Sequence, residues 1–227
     1  MRIIAGEKRG AKIAAPKGHD TRPTGDRVRE AAFNLIGPVD DARVLDLFAG
    51  SGAYGLEALS RGAATAVFAE SERPACDAIR ANLEKLGFTG ATLLCRDAIQ
   101  VLSEEAAAGR RYDLVLVDPP YRLFSDVQTA LATYLPSVLA DDGLAVVETH
   151  AKDEPELPLE KRTSRRYGSA RLTLFEHARA SGHVWQRGAG GDSVSNTAPE
   201  SAASPAWRGS GGAGLRPAGA AAGQERE

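Results

Sequence analysis

The stretch Val44-Leu45-Asp46-Leu47-Phe48-Ala49-Gly50-Ser51-Gly52-Ala53-Tyr54-Gly55 constrains this chain more than any other. It starts apolar, as a buried strand does, turns through two glycines and enters Leu56-Glu57-Ala58-Leu59, a run of good helix formers. A strand, a glycine turn and a helix N-terminus enclose a pocket of nucleotide size. Glycines let a ligand approach the backbone, and the N–H groups of the first helical turn face it. Gly50, Gly52 and Gly55 satisfy the G-x-G-x-x-G spacing of dinucleotide sites. Asp46 and Phe48 argue against that ligand. In the pyrophosphate form the strand runs almost directly into the first glycine, and a carboxylate at the strand tip repels phosphate. Taken alone, the stretch also reads as an ordinary glycine-rich turn with a solvated Asp.

Residues 1–25 read as short strands and turns, because Gly6, Gly10, Pro16, Gly18, Pro23 and Gly25 interrupt any helix. Ile3-Ile4-Ala5 and Ala11-Lys12-Ile13 are expected to pair as a hairpin across Glu7-Lys8-Arg9-Gly10. A helix follows over about Asp26–Ile36, with Thr24 as N-cap, an apolar side of Val28, Ala31, Ala32, Leu35 and Ile36, and Arg27 and Arg29 pointing away from it. From Arg43 the pattern alternates strand and helix, which predicts an α/β chain with a parallel sheet. The expected strands are Arg43–Leu47, Ala64–Ala69, Ala91–Cys95, Asp113–Val117 and Leu144–Glu148. The expected helices between them are about Ala53–Arg61, Pro74–Leu86, Ala98–Ala108 and Asp126–Leu139. Arg162–Arg166 and Arg171–Phe175 are expected to form a closing hairpin. Beyond His177 the chain is Gly, Ala, Ser and Pro with scattered charge, too poor in apolar residues to offset its ordering entropy, and 178–227 reads as a disordered, low-complexity tail.

In an open parallel sheet, ligands bind along the edge formed by the C-terminal strand ends. Four successive strands here end at an acid: Asp46, Glu70, Asp97 and Asp118. Asp46 suits an ammonium group. Glu70, 24 positions on, has the spacing of a carboxylate that accepts from ribose hydroxyls. Asp97 is placed to accept from an adenine amine, and it equally suits a helix N-cap. S-adenosylmethionine matches this set, since it carries an ammonium, a sulfonium, a ribose and an adenine, and no phosphate.

Asp118-Pro119-Pro120-Tyr121 is the most specific chemical signal. The prolines fix φ and remove two backbone donors, which leaves their carbonyls as rigid acceptors. An acid, a fixed carbonyl and an aromatic ring suit a planar base bearing an amino group. Asp118 and the Pro119 carbonyl can take the two N–H bonds while Tyr121 stacks on the ring. Such amines are poor nucleophiles, so orientation toward a methyl group carries much of the rate. Asp118, Pro119, Pro120 and Tyr121 are therefore the candidate catalytic group.

The formal net charge of −2 does not advertise nucleic acid, but the distribution does. Residues 1–30 hold Arg2, Lys8, Arg9, Lys12, Lys17, Arg22, Arg27 and Arg29 against four acids, and a second basic cluster is Lys161, Arg162, Arg165, Arg166 and Arg171. Either cluster also fits a solvated face. Cys76 and Cys95 show no metal-ligand spacing and read as core or partly buried thiols of a reducing cytoplasm; no metal is expected. No apolar run approaches the ~18 residues of a membrane span, and the opening residues have no apolar signal core.

With these residues in view, the chain resembles class I S-adenosylmethionine-dependent methyltransferases. Asp46-Leu47-Phe48-Ala49-Gly50-Ser51-Gly52 is similar to their first motif and Asp118-Pro119-Pro120-Tyr121 to the fourth motif of the amino methyltransferases. It resembles the RsmD family more closely, through Arg2-Ile3-Ile4-Ala5-Gly6, Arg9-Gly10, Thr21-Arg22-Pro23-Thr24, Arg27-Val28-Arg29-Glu30-Ala31, Phe33-Asn34, Gly55–Ala63 and Tyr167-Gly168. That family methylates the N2 amine of a guanine in the 16S ribosomal RNA of bacteria. The resemblance implies a Rossmann-like sheet of seven strands with the last antiparallel, a small N-terminal β-hairpin reaching toward RNA, and a monomer acting on a partly assembled small subunit. It divides the chain into an RNA-facing 1–37, a methyltransferase domain 38–177 and the tail. It assigns Asp46, Gly50 and Gly52 to the methionine end, Glu70 to the ribose, and Asp97 with Ala98 to the adenine, with Phe48 and Ser51 also in the cofactor site. It assigns Asp118, Pro119 and Tyr121 to the target guanine, and Lys8, Arg9, Arg22, Thr24, Arg27 and Arg29 to RNA.

Three other classes fit parts of the pattern. Asp-Pro-Pro-Tyr also serves DNA adenine or other amino methyltransferases, though 1–43 is small for a target-recognition domain. The glycine spacing fits a nicotinamide oxidoreductase, against Asp46 and Phe48. A non-catalytic RNA-binding factor on this fold would have no need of Asp118–Tyr121.

Overall fold

A computed structural model describes residues 1–16 and 24–178. The expectations for Lys17, Arg22 and the tail beyond 178 lie outside the described residues, as does the side chain of Thr24. The order is α1 (Thr24–Ile36), β1 (Arg43–Leu47), α2 (Ala53–Ser60), β2 (Thr65–Ala69), α3 (Arg73–Leu86), β3 (Ala91–Leu94) and α4 (Ala98–Ala107). Then come β4 (Tyr112–Val117), a 3-10 turn (Tyr121–Leu123), α5 (Phe124–Val138), β5 (Leu139–His150), β6 (Glu160–Tyr167) and β7 (Ala170–Glu176).

The seven strands form one sheet in the order β3-β2-β1-β4-β5-β7-β6. β1 to β5 pair in parallel, and the last strand, β7, runs antiparallel between β5 and β6. β1 and β4 lie at the middle, and their apolar runs are buried on both faces, as a parallel sheet covered by helices requires. One face carries Val44, Phe68, Leu116, Val146 and Leu172 against α1, α2 and α3; the other carries Leu45, Leu47, Val115, Val117 and Val147 against α4 and α5. Emptying one of these sites with Leu47→Ala costs about 2–5 kcal/mol. Among the described residues no helix is long and apolar enough to cross a membrane.

Several local expectations need correction. Thr24 is the first helical residue of α1 rather than the residue before it. β5 is longer than expected at both ends, because a register shift against β4 lets it start at Leu139 directly after α5. Cys95 lies beyond β3 and is exposed; Cys76 is buried. Arg171 is not part of a basic surface: it is 6% exposed and donates to Ser164 Oγ (2.9 Å) and the Ala151 carbonyl (3.1 Å).

The N-terminal hairpin is shorter than the sequence suggests. It holds one antiparallel bridge, Arg2 with Lys12, flanked by Ile3 N–H to the Ala11 carbonyl at 2.9 Å and Gly10 N–H to the Ile3 carbonyl at 2.9 Å. The next two donors leave the ladder. Ile4 N–H and Ala5 N–H go to the carboxylate of Glu57 on α2, at 2.8 and 2.9 Å. Further on, Glu7 N–H reaches the Ser60 carbonyl (2.7 Å) and Lys8 N–H reaches Ser60 Oγ (3.0 Å), so the segment lies along α2.

Candidate active site

The glycine turn is built by carboxylates from below. Asp46 is 2% exposed, and its Oδ2 accepts from Gly55 N–H at 2.9 Å, tying the first turn of α2 to β1. Phe48 (φ 59°), Gly50 (φ 57°) and Gly52 (φ 77°) are left-handed. For Phe48 that conformation costs about 1–2 kcal/mol, strain of the kind found at ligand sites. Gly52 caps α2 without a side chain, so nothing covers the helix N-terminus from that residue. Glu70 Oε2 accepts from Gly50 N–H (2.7 Å) and its Oε1 from Glu72 N–H (2.8 Å), which joins the β2 tip to the turn. Ser51 is 7% exposed; its carbonyl accepts from Asn82 Nδ2 at 3.1 Å. The same buried amide also clasps Ala14, accepting from its N–H (2.7 Å) and donating to its carbonyl (3.0 Å).

Burial raises Asp46 to about 8; the Gly55 N–H bond opposes this and the nearby Glu70 charge adds to it. Asp118 is pushed well above the usual carboxylate range by burial, then by the charges of Glu148 and Asp46. Several desolvated acids on one edge define a site that a cation relieves and a pyrophosphate aggravates.

The β4 tip lies against the β1 tip: Asp118 N–H approaches the Leu47 carbonyl at 3.4 Å. Pro119 is buried and Pro120 exposed, and Pro120 (φ −50°) leads into the 3-10 turn that begins with Tyr121. Asp118 is partly exposed and lies among Tyr54, Leu116, Val146, Glu148 and Leu172. The fold thus gathers Asp46, Phe48, Gly50, Ser51, Gly52, Glu70 and Asp118–Tyr121 at one edge. Asp97 is at the same edge but is the N-cap of α4, its Oδ1 accepting from Ile99 N–H (3.0 Å) and Gln100 N–H (2.9 Å). The Ala98 side chain is 2% exposed and belongs to the core under α4.

Sequence reasoning passed over Tyr54 and Glu148. The Tyr54 hydroxyl donates to Glu148 Oε2 (2.8 Å) and the Tyr121 hydroxyl to Oε1 (3.3 Å). The signal was present: a fifth strand passes an acid, Glu148, where β1, β2 and β4 end in theirs.

The basic residues separate. Arg29 does not point outward. It is 2% exposed, donates to the Arg2 carbonyl (2.6 Å) and Asp26 (3.0 Å), and faces Glu57 at 3.7 Å. The buried carboxylate of Glu57 draws it in. Lys8 sits beside Ser60 at the C-terminal end of α2, with Arg9 next along the chain, at the opposite end of that helix from the glycine turn. A helix of eight residues spans about 12 Å, so these two do not share the mouth with Asp118. Arg27 is exposed in the first turn of α1, which meets α2 through Arg29 with Glu57 and Phe33 with Tyr54.

The seven-stranded α/β sheet is that of an S-adenosylmethionine-dependent methyltransferase. The model of the family described as conserved hypothetical protein 95 matches residues 1–176. A putative rRNA methyltransferase of Bacillus subtilis is 40% identical over 162 residues, 70% of this chain and 86% of that protein. Ribosomal RNA small subunit methyltransferase D of Escherichia coli is 40% identical over 154 residues, 67% of this chain and 76% of that protein. The solved structure of a putative methyltransferase from Escherichia coli superposes with a TM-score of 0.67 at 36% identity, covering 78% of this chain and 99% of that one. The chain therefore belongs to the RsmD family.

Proposed function

We propose that this chain transfers a methyl group from S-adenosylmethionine to the exocyclic N2 amine of a guanine in 16S ribosomal RNA, within assembled or partly assembled small subunits. The observation that carries the reading is Asp118-Pro119-Pro120-Tyr121 on the β4 tip, held beside the Gly50–Gly52 turn in a member of this family. The relatives named for the small-subunit RNA support that substrate.

The cofactor fits the residues present. It is cationic at the sulfonium and the amine, and the turn is flanked by the desolvated Asp46 and Asp118. When bound it supplies an electrophilic methyl group. Asp46 with the backbone of Phe48, Gly50, Ser51 and Gly52 holds the methionine end, Glu70 the ribose, and Asp97 with the N–H of Ala98 the adenine. Glu70 already accepts from Gly50, so it orders the turn and keeps lone pairs for hydroxyls.

In the acceptor site, Asp118 and the Pro119 carbonyl take the two N2 hydrogens and Tyr121 stacks on the ring. With the methyl donor bound, Asp118 and the Pro119 carbonyl would aim N2 at the methyl group, and Asp118 would be placed to take the N–H proton that N2 gives up. The rate comes from aiming a weak nucleophile in a site that excludes water. The base must leave its stack to reach this depth, which costs least in a loop or an open assembly intermediate. Of the residues expected at RNA, we assign Arg27 to the mouth, with the start of α1 as the RNA-facing part of the N-terminal segment; the family resemblance also gives Arg22 and Thr24 to RNA. The protein acts as a monomer in the cytoplasm.

The test is to incubate the chain with labelled S-adenosylmethionine and undermethylated small-subunit particles, with naked ribosomal RNA and DNA in parallel, and to identify the labelled nucleoside. Label in N2-methylguanosine supports the reading. Label in N6-methyladenine replaces it with an adenine amino methyltransferase, and no label from a cofactor-binding chain removes the activity.

A further inference from the structure

Asp118 and Glu148 are neighbours by register. β4 and β5 pair in parallel with Val117 opposite Val147, so the next residue on each strand falls side by side, about 4.8 Å apart along the sheet. Alternation turns both away from the α4–α5 face, to the side of Tyr54, Leu116, Val146 and Leu172. Glu148 divides its two oxygens between two rings: Oε2 accepts from the Tyr54 hydroxyl at 2.8 Å, and Oε1 from the Tyr121 hydroxyl at 3.3 Å. Tyr121 is the aromatic of the acceptor motif. Its ring also stands edge-on to His150, two residues further along β5, with centroids 5.6 Å apart at 73°. Tyr54 rests against Phe33 of α1, with centroids 6.4 Å apart. One carboxylate on β5 therefore joins the acceptor loop to α2.

We infer that Glu148 is a positioning residue of the acceptor pocket, fixing the Tyr121 ring at the angle the substrate base needs and bracing it against α2 through Tyr54. The inference rests on the acceptor reading above and adds to it a residue outside the Asp-Pro-Pro-Tyr motif. Tyr121 is half-buried on a 3-10 turn that has no fully buried residue and whose Leu123 is 37% exposed. Its hydroxyl bond to Glu148 and its edge contact with His150 constrain the ring. Burial raises the Glu148 carboxyl while both tyrosine hydroxyls oppose the rise, so the two bonds favour the charged acceptor that they need.

The experiment compares Glu148→Ala, Glu148→Gln, Tyr121→Phe and the double variant Glu148→Ala/Tyr121→Phe in the full chain. Each is assayed for kcat and KM on undermethylated small-subunit particles, and for binding of S-adenosylhomocysteine. Glu148→Ala is expected to lower kcat by on the order of 10- to 100-fold, the scale of a misplaced reacting group, with S-adenosylhomocysteine affinity changed less than about twofold. The double variant is expected to be no slower than Glu148→Ala alone, because both changes remove one contact. Glu148→Gln keeps one acceptor oxygen and is expected between wild type and alanine; if the alanine variant does not fold, the Gln/Phe cycle decides. Wild-type kcat in Glu148→Ala, or losses that multiply independently, overturns the inference while leaving the acceptor reading in place. A wild-type chain that labels no guanine overturns both.

Discussion

Arg29 and Glu57 face each other at 3.7 Å, one 2% and the other 0% exposed. The Arg29 Nε makes no hydrogen bond, so toward Glu57 it is drawn by charge alone, while its Nη2 bonds the Arg2 carbonyl and Asp26. Glu57 is otherwise saturated, by Ile4 N–H, Ala5 N–H and Arg61 Nε at 2.8 Å. This one carboxylate holds the N-terminal segment, α1 and α2 together. Glu57→Ala leaves two backbone donors unmatched and takes one of its two carboxylates from the buried Arg29, which keeps Asp26, and is expected to cost about 3 kcal/mol in a urea melt. Hydrogen exchange at the Ile4 and Ala5 amides should rise in the same variant. Unchanged exchange there would refute the anchoring role.

Asp118→Ala is expected to abolish transfer, by at least about a hundredfold, and to leave binding of S-adenosylhomocysteine intact. Isothermal titration with that ligand separates the two effects. Near-normal turnover would mean that the amine is oriented by the backbone alone.

Asp46 gives a pH prediction with a definite sign. Its folded pKa of about 8 lies above the unfolded value of about 3.9. The folded state therefore binds the extra proton between these values. The contribution is full below about pH 4 and is lost as pH rises toward 8. Asp46→Asn retains a carbonyl for Gly55 N–H and cannot ionise. Its melting temperature is expected to match wild type near pH 4 and to exceed it at pH 8.5, with weaker S-adenosylhomocysteine binding throughout. A constant difference across that range would show that Asp46 titrates normally.

The strands and helices were legible because each is a local pattern: apolar runs for β1 and β4, a glycine stop at Gly87 for α3. The strand-tip acids were legible for the same reason. Arg29 was not, since a basic residue in a helix reads as solvated until a buried acid 28 positions later is known to face it. The hairpin length failed likewise, because Glu57 takes donors that local pairing would use. Glu148 needed the β4–β5 register to be seen beside Asp118.

Arg27→Glu is expected to raise KM for the small-subunit particle and to flatten its salt dependence by roughly one ion, as losing one phosphate contact does. Lys8→Glu/Arg9→Glu, at the far end of α2, should leave both unchanged. The reverse pattern would move the RNA face to the other edge of the sheet.

Gly55 completes the fingerprint that the sequence shares with dinucleotide enzymes, yet its reason here is steric. A Cβ at this position would lie 2.3 Å from the Phe68 ring and 3.0 Å from Asp46 Oδ2. The third glycine records how closely a helix rides on a sheet, and that demand is common to folds with unrelated ligands. Searches keyed to the glycines will therefore pool nicotinamide enzymes with methyl donors' hosts, while the acid four residues ahead of the first glycine separates them. Alanine at position 55 is therefore expected to keep this geometry only beside a smaller residue at position 68.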